Sequence, residues 1–256
     1  MQREAWTYSL TGAVLGAFGL LLRWLQREMI LDETGLPLRH AVISGLLVAF
    51  LFAAGAALWI LSGRLGGDRS PEEPEEALNV KNPIPVVLLG LAALAGLGGA
   101  LLMVVESDSV LLRVSALVGV LAAAALAFYP YLPRWGEFGA GLSLLPVIFF
   151  SLWLVVCYKD NAVNPILWEY GMLILAVAGA LFAAYRLCGY LYYRINSRRT
   201  VFACALAVVL CLSVLMDDVA LGTRVLLGGW ALGYGTICWV LWRNMRRKKA
   251  EKAESP

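Results

Sequence analysis

The sequence predicts an all-α, polytopic transmembrane helix bundle of about eight spans, and three observations carry that class. Hydrophobic residues fill 61% of the 256 positions, charged residues only 15%, and the mean hydropathy is +0.75, whereas soluble domains carry about 25% charged residues. The apolar residues gather into runs of 17 to 23, close to the roughly 17–25 that a helix needs to cross a hydrocarbon core about 30 Å thick. The runs are continuous, without the alternation of barrel strands, and a helix satisfies its own backbone hydrogen bonds in lipid.

Taken in order, the expected spans are Ala5–Leu22, Ala41–Leu61, Pro83–Val105, Val110–Tyr129, Gly139–Cys157, Pro165–Tyr185, Thr200–Met216 and Val225–Trp242. "LLRWLQREM" follows the first span with no small-residue cleavage site, so that span is read as a retained helix and not a signal peptide. The link over 62–82, "SGRLGGDRSPEEPEEALNVKN", combines glycines, prolines and Glu72, Glu73, Glu75 and Glu76, the composition of a mobile cytoplasmic loop. Asn82-Pro83 then supplies a helix cap and a first helical residue. The third span, with "GLAALAGLGGA" at its middle, has side chains small enough for a central position. "ESDS" is so short that the third and fourth spans must be antiparallel neighbours. Pro146 removes a backbone donor inside the fifth span and predicts a kink there. Residues 243–256 form a basic cytoplasmic tail. With 21 residues in its longest link, the chain reads as a single integral membrane domain over 1–256.

Asn82-Pro83-Ile84 and Asn164-Pro165-Ile166 would enter the membrane from opposite sides, as in an inverted transporter repeat. No further similarity follows either tripeptide, and generic helix-start chemistry accounts for both. Small residues recur four apart at Gly12 and Gly16; Ala92, Gly96 and Ala100; Ala176, Ala180 and Ala184; and Gly229 and Gly233. In lipid such stripes let helices approach closely, within one chain or between chains.

Lys and Arg in the links set orientation, because positive loops resist translocation. With both termini cytoplasmic, 15 basic residues lie inside and six outside: Arg23, Arg27, Arg39, Arg113, Lys159 and Arg224. "RINSRR" and "RNMRRKKAEK" fix the second half, while Arg23 and Arg27 argue against the orientation of the first span. Seven spans with the N-terminus outside is the alternative. A basic tail beside anionic lipid headgroups needs no nucleic-acid partner.

Only Arg113 and Glu169 are charged within spans. Glu169 lies about five residues past Asn164, or roughly 7.5 Å into the sixth helix, between Trp168 and Tyr170. That is interfacial depth, flanked by belt aromatics, so Glu169 reads as the outer boundary of the helix. As a ligand site, Glu169, Trp168 and Tyr170 would join Glu106, Asp108, Asp217 and Asp218 in an outward-facing acidic and aromatic vestibule for a cation. The bland account of the same loop acids is solvation, or neutralisation by Arg113, Lys159 and Arg224. Enzyme chemistry lacks material: His40 is the only histidine, a second intramembrane acid is missing, and no phosphate loop is present. No catalytic residue, metal or cofactor is assigned. Cys157, Cys188, Cys204, Cys211 and Cys238 lie in or beside spans without a CxxC pair, which favours packing. Tyr185, Tyr190, Tyr192 and Tyr193, interspersed with arginines, read as an interfacial anchor or a docking surface.

The leading functional expectation is a non-enzymatic integral membrane protein of the plasma membrane, acting as the membrane subunit of a larger assembly or by self-association. The alternative is a small-solute or ion carrier using the outer vestibule.

Overall fold

The computed structural model describes residues 2–30, 42–63, 71, 73–80, 82–107, 109–163 and 167–254, with side chains described except over 2–7, 29–30, 42, 167–169 and 246–254. Arg39, His40, Asp108 and the Asn164-Pro165 helix start fall outside the described residues. The elements are α1 (Gln2–Ile30), α2 (Val42–Gly63), α3 (Pro74–Ala77), α4 (Pro83–Glu106), α5 (Val110–Ala127), a 3-10 segment (Tyr129–Trp135), α6 (Gly136–Leu142), α7 (Leu144–Asn161), α8 (Leu167–Leu191), α9 (Ser197–Ser213) and α10 (Leu221–Glu254). Among the described residues there is no strand. The protein is an all-α helix bundle.

Among the described residues, seven stretches are long and apolar enough to cross a membrane. The eighth long helix, α9, has 17 residues, about 25 Å at 1.5 Å per residue, and packs between α1, α2, α8 and α10. Tyr8 stacks on Trp242 with ring centroids 4.7 Å apart, so the start of α1 and the second half of α10 share one end of the bundle. That end is the Trp242 end below, and the opposite one the Asp217 end.

The middle of the bundle belongs to α10 and α9, not to α4. Of the apolar stretch of α10, 78% is buried, against 39% for α4, and twelve of the 17 residues of α9 are buried. The small residues of α4 lie on one stripe, Ala92, Gly96, Gly99 and Ala100, while Leu91, Leu94 and Leu101 face outward. Small side chains there serve close approach to α10. A Cβ on Gly99 would strike the backbone of Leu226, one on Gly222 would lie 2.6 Å from Met103 N, and one on Gly229 would lie 2.7 Å from Gly96 N. The pairs 99 with 226, 103 with 222 and 96 with 229 run in opposite directions, so α4 and α10 are antiparallel with backbones in contact over several turns.

The other stripes close in the same way. Gly12 and Gly16 of α1 meet Ala205 and Leu212 of α9, Ala176, Ala180 and Ala184 of α8 are buried, and Gly233 meets Leu126. All are contacts within this chain. Aromatic rings fill the space between α7 and α10: Phe149, Phe150 and Trp153 pack together, and Trp230 meets Phe150 edge-on at 5.0 Å. Hydroxyls tie helices across the core, Tyr8 donating to the Leu58 carbonyl at 3.0 Å, Ser9 to Gly235 at 2.9 Å and Tyr234 to Ala180 at 2.9 Å.

Local chemistry sets the boundaries. The Asn82 side chain accepts from Ile84 N at 3.4 Å and Pro83 occupies the first turn of α4, as the sequence predicts. The expected fifth span is displaced, because the helix breaks before Pro146 instead of kinking at it. α6 stops at Leu142, Ser143 Oγ donates to the Ala140 carbonyl at 2.6 Å, and α7 begins at Leu144. Pro146 then falls in the first turn of α7, where a missing N–H leaves no bond unmade. Within the 62–82 link, α3 docks against the Trp242 end. Ala77 and Leu78 are buried, and Asn244 Nδ2 donates to the carbonyls of Ala77 at 2.7 Å and Asn79 at 2.9 Å.

Candidate functional site

The densest polar constellation lies at the Asp217 end and is built by α1. Its buried positions, Tyr8, Gly12, Gly16, Gly19, Arg23 and Gln26, step by three or four residues along one face, so the stripe that packs on α9 carries two long polar side chains into the bundle at its far end. The first helix extends to Ile30, eight residues beyond the expected Leu22. Arg23 is therefore a core residue, 1% exposed, and not a loop charge.

Its partner comes from the turn after α9. Asp217 N donates to the Val214 carbonyl at 2.8 Å, and the carboxylate Oδ1 accepts from Arg23 Nε at 2.5 Å, with both side chains 2% exposed. Arg23 Nη1 also donates to Gln26 Oε1 at 2.6 Å, and Gln26 Nε2 donates to Ser44 Oγ of α2 at 2.7 Å. Arg27 Nη1 donates to the Met216 carbonyl at 3.0 Å, and Arg224 Nη2 to the Asp217 carbonyl at 2.9 Å, 3.9 Å from Asp218. Two cations thus sit on carbonyls just beyond the end of α9, where its dipole favours positive charge. Burial raises the Asp217 carboxyl above the ordinary carboxylate range, against the opposing hydrogen bond and charge of Arg23 and the charges of Arg27 and Arg224. Its Oδ2 atom is sealed and has no hydrogen-bond partner.

Of the expected vestibule, Glu106, Asp217 and Asp218 flank the start of α10. Glu106 Oε2 accepts from Gly222 N at 2.9 Å, a carboxylate on the first turn of α10. Asp217, Asp218 and Arg224 adjoin it through the α9–α10 turn. Asp108 and the side chains of Trp168 and Glu169 lie outside the described ones, although the backbone of both belongs to α8. Tyr170 is half-buried on α8. The Arg23–Asp217 pair cancels its own charge inside the bundle, and Arg224 lies 3.9 Å from Asp218. What it does chemically is fasten: one ion pair and its relay join α1, α2 and the α9–α10 turn.

Sequence reasoning missed Arg23, Gln26 and Ser44. The signal was present, since Gly12, Gly16, Gly19, Arg23 and Gln26 fall on one helical stripe. Arg113, expected within a span, donates to the Ser107 carbonyl at 2.8 Å at the end of α4. All five cysteines are buried and free. Among the described residues no three His, Cys, Asp or Glu side chains could hold a metal.

Cavities lie elsewhere among the described residues. A polar cleft of about 720 Å³ at the Trp242 end is lined by Glu73, Glu75, Glu137, Tyr192 and Tyr193. An apolar groove of about 470 Å³ runs between α2 and α8 over α9, lined by Phe52, Met172, Leu175, Leu206 and Leu210. No protein-family model, curated protein or solved structure matches the chain.

Proposed function

We propose that this polytopic membrane protein is the non-enzymatic, membrane-embedded subunit of a larger assembly, with α2 as the helix that meets the partner. The observation that carries the reading is the contrast between α2 and the other small-residue helices. Stripes on α1, α4, α8 and α10 are occupied by helices of this chain. On α2 the stripe Gly45, Ala49, Ala53 and Ala56 faces outward, nothing lies within 4 Å of a Cβ placed on Gly45 or Gly55, and only 22% of the span is buried. Small residues on an open face let a second helix approach closely in lipid. A non-enzymatic role is favoured by a single histidine in the sequence and by thiols confined to the interior.

Both termini are assigned to the cytoplasm and the membrane to the plasma membrane. Two findings support that orientation: Tyr8 and Trp242 share an end, and Arg23, one of the two charges that opposed it, is paired with Asp217. The test is purification in mild detergent. A stoichiometric partner should be retained by the wild type and lost in the Gly45→Leu, Ala53→Leu variant, and recovery only as a lone monomer overturns the reading.

A carrier is the second reading, favoured by the placement of Glu106, Asp217 and Asp218 on the segments flanking the start of α10. It requires uptake into vesicles that falls in Glu169→Gln while insertion is normal.

A further inference from the structure

The elbow between α5 and α7, made of the 3-10 segment and α6, carries four aromatic rings on its outer side. Phe128, Tyr131, Trp135 and Phe138 follow one another at spacings of three or four residues and are 49%, 37%, 42% and 68% exposed, while Tyr129, Leu132, Gly139 and Ala140 are buried. Neighbouring rings pack together: the centroids of Phe128 and Trp135 lie 5.7 Å apart, and those of Trp135 and Phe138 6.2 Å. Arg134 stands beside them with its guanidinium 6.0 Å from the centre of the Tyr131 ring. The backbone beneath is fixed locally. The Phe128 carbonyl accepts from Tyr131 N at 2.8 Å and Leu132 N at 3.1 Å, Pro130 and Pro133 restrict φ, and Gly136 reverses the chain at a φ of +56°.

A contiguous aromatic patch is costly in water and marks a contact surface, and two observations place this one against lipid. The first is continuity with the outward faces of the flanking helices. On α5 Leu117 and Leu121 are exposed on the side that ends at Phe128, and on α7 Ile148, Leu152 and Val155 are exposed at helical spacing, so two apolar stripes of packed neighbours run into the elbow. The second is depth. α5 and α7 have 18 residues each, about 27 Å at 1.5 Å per residue, against a hydrocarbon core about 30 Å thick. A hairpin of two such helices sets its elbow where hydrocarbon gives way to glycerol and headgroups. Tyr and Trp suit that level because each joins an apolar body to a polar tip, and an arginine there extends to the phosphates. The other side of the elbow meets water, since Pro133, Gly136 and Glu137 line the polar cleft with Glu73 and Tyr193.

We propose that Phe128, Tyr131, Trp135 and Phe138 insert into the phospholipid leaflet at the Trp242 end, at the level of the glycerol groups with Arg134 at the phosphates, and thereby set the height of the α5–α7 hairpin in the bilayer. The surface is separate from the basic tail and from the open face of α2. It rests on the chain lying in a membrane and not on the subunit reading, so loss of a co-purifying partner leaves it intact.

The test is site-directed spin labelling of the purified full chain in phosphatidylcholine vesicles. Phe138→Cys carries the nitroxide, and the wild type, whose five thiols are buried and free, is the labelling blank. Collision with oxygen, which concentrates in the bilayer, against collision with a water-soluble nickel chelate reads depth. Leu117→Cys at the middle of α5 is the hydrocarbon reference and Glu73→Cys in the cleft the water reference, both at exposed positions. The oxygen-to-nickel ratio at Phe138→Cys should fall between the two. Tyr131→Cys should read the same level and serves alone should Phe138→Cys fail to fold, and adding Trp135→Ser with Phe138→Ser should shift the Tyr131→Cys ratio toward that of Glu73→Cys. A ratio at the elbow equal to the water reference would leave the rings in water and overturn the proposal. Poor collision with both agents would mean that a second copy of the chain covers the patch, which defeats the lipid, as does a Tyr131→Cys ratio unmoved by the serine changes.

Discussion

Arg23 on α1 and Asp217 after α9 are 194 residues apart in sequence and meet at 2.5 Å with both side chains 2% exposed. Removing one partner of such a pair strands a buried charge, at a cost of about 3–5 kcal/mol, whereas replacing both with apolar groups of similar volume is often neutral. Arg23→Met and Asp217→Leu should each destabilise the bundle by about that amount, and the double variant should recover most of the loss. Thermal unfolding of the detergent-solubilised protein measures the cycle. Additive losses would mean that the two residues act independently.

The raised Asp217 carboxyl gives this fastening a pH dependence of definite sign, because a protonated carboxyl sheds the cost of a buried charge and still accepts from Arg23 Nε, which a leucine cannot do. Burial is the leading cause and outweighs the hydrogen bond and charge of Arg23 and the charges of Arg27 and Arg224. The folded state therefore binds the Asp217 proton more tightly than the unfolded state, whose carboxyl titrates at about 3.9. The contribution of this group to stability is fully present below that value and is lost as pH rises through the folded value. Relative to Asp217→Asn, the wild type should gain stability as pH falls from about 7 toward about 4. Parallel melting curves for the two proteins across that range would contradict it.

These features show which parts of the architecture could be read from the residues. The long helices were legible because lipid demands continuous apolar runs, and the "ESDS" link did make α4 and α5 packed neighbours. Which helix stands in the middle was not legible. Hydrocarbon is as apolar as leucine, so hydropathy reports immersion and not interior position. The centre went to α10, whose inward face carries Tyr234, Thr236 and Trp230, while the leucine-rich face of α4 looks outward. Of the proposed vestibule, Glu106, Asp217 and Asp218 flank the start of α10, with the Asp217 carboxylate turned in to Arg23. Arg23 was read as a link charge because it lies one residue beyond the expected end of its span, although the glycine stripe before it already pointed inward.

Neighbouring glycines of α10 should respond in opposite directions to one methyl group. A Cβ on Gly229 would lie 2.7 Å from Gly96 N and 2.9 Å from the Ala92 carbonyl, both backbone atoms, whereas nothing lies within 4 Å of one on Gly228. Gly229→Ala must push α4 and α10 apart and should cost about 1–3 kcal/mol. Gly228→Ala meets no obstacle and should stabilise by roughly 0.5–1 kcal/mol through better helix propensity. Thermal shifts of equal sign for the two variants would refute the close α4–α10 contact.

Asn244 holds the docked part of the 62–82 link through two carbonyls, those of Ala77 and Asn79. Asn244→Ala removes both bonds while leaving Ala77 and Leu78 their apolar contacts. Amide exchange across residues 73–80 should rise by about fivefold to thirtyfold, equivalent to one or two hydrogen bonds of about 1 kcal/mol each. Exchange in α9, on the far side of α10, serves as the internal reference and should not change. Equal acceleration at both places would mean global destabilisation and not local release.

The thiols provide a test of packing that needs no partner or ligand. Cys204, Cys211 and Cys238 are at most 1% exposed, Cys188 is 5% and Cys157 is 6% exposed, and all five are free. A buried thiol reacts only when the surrounding helices open, so labelling by a membrane-permeant maleimide should follow the opening equilibrium and not the intrinsic reactivity of cysteine. The native protein in mild detergent should therefore take up little label over minutes and all five equivalents after denaturation in SDS. Among the five, Cys157 and Cys188 should label first, because they lie nearest the ends of α7 and α8, and Cys204 and Cys211, both 0% exposed within α9, last. Rapid native labelling at Cys204 would place α9 against lipid or water and remove it from the interior.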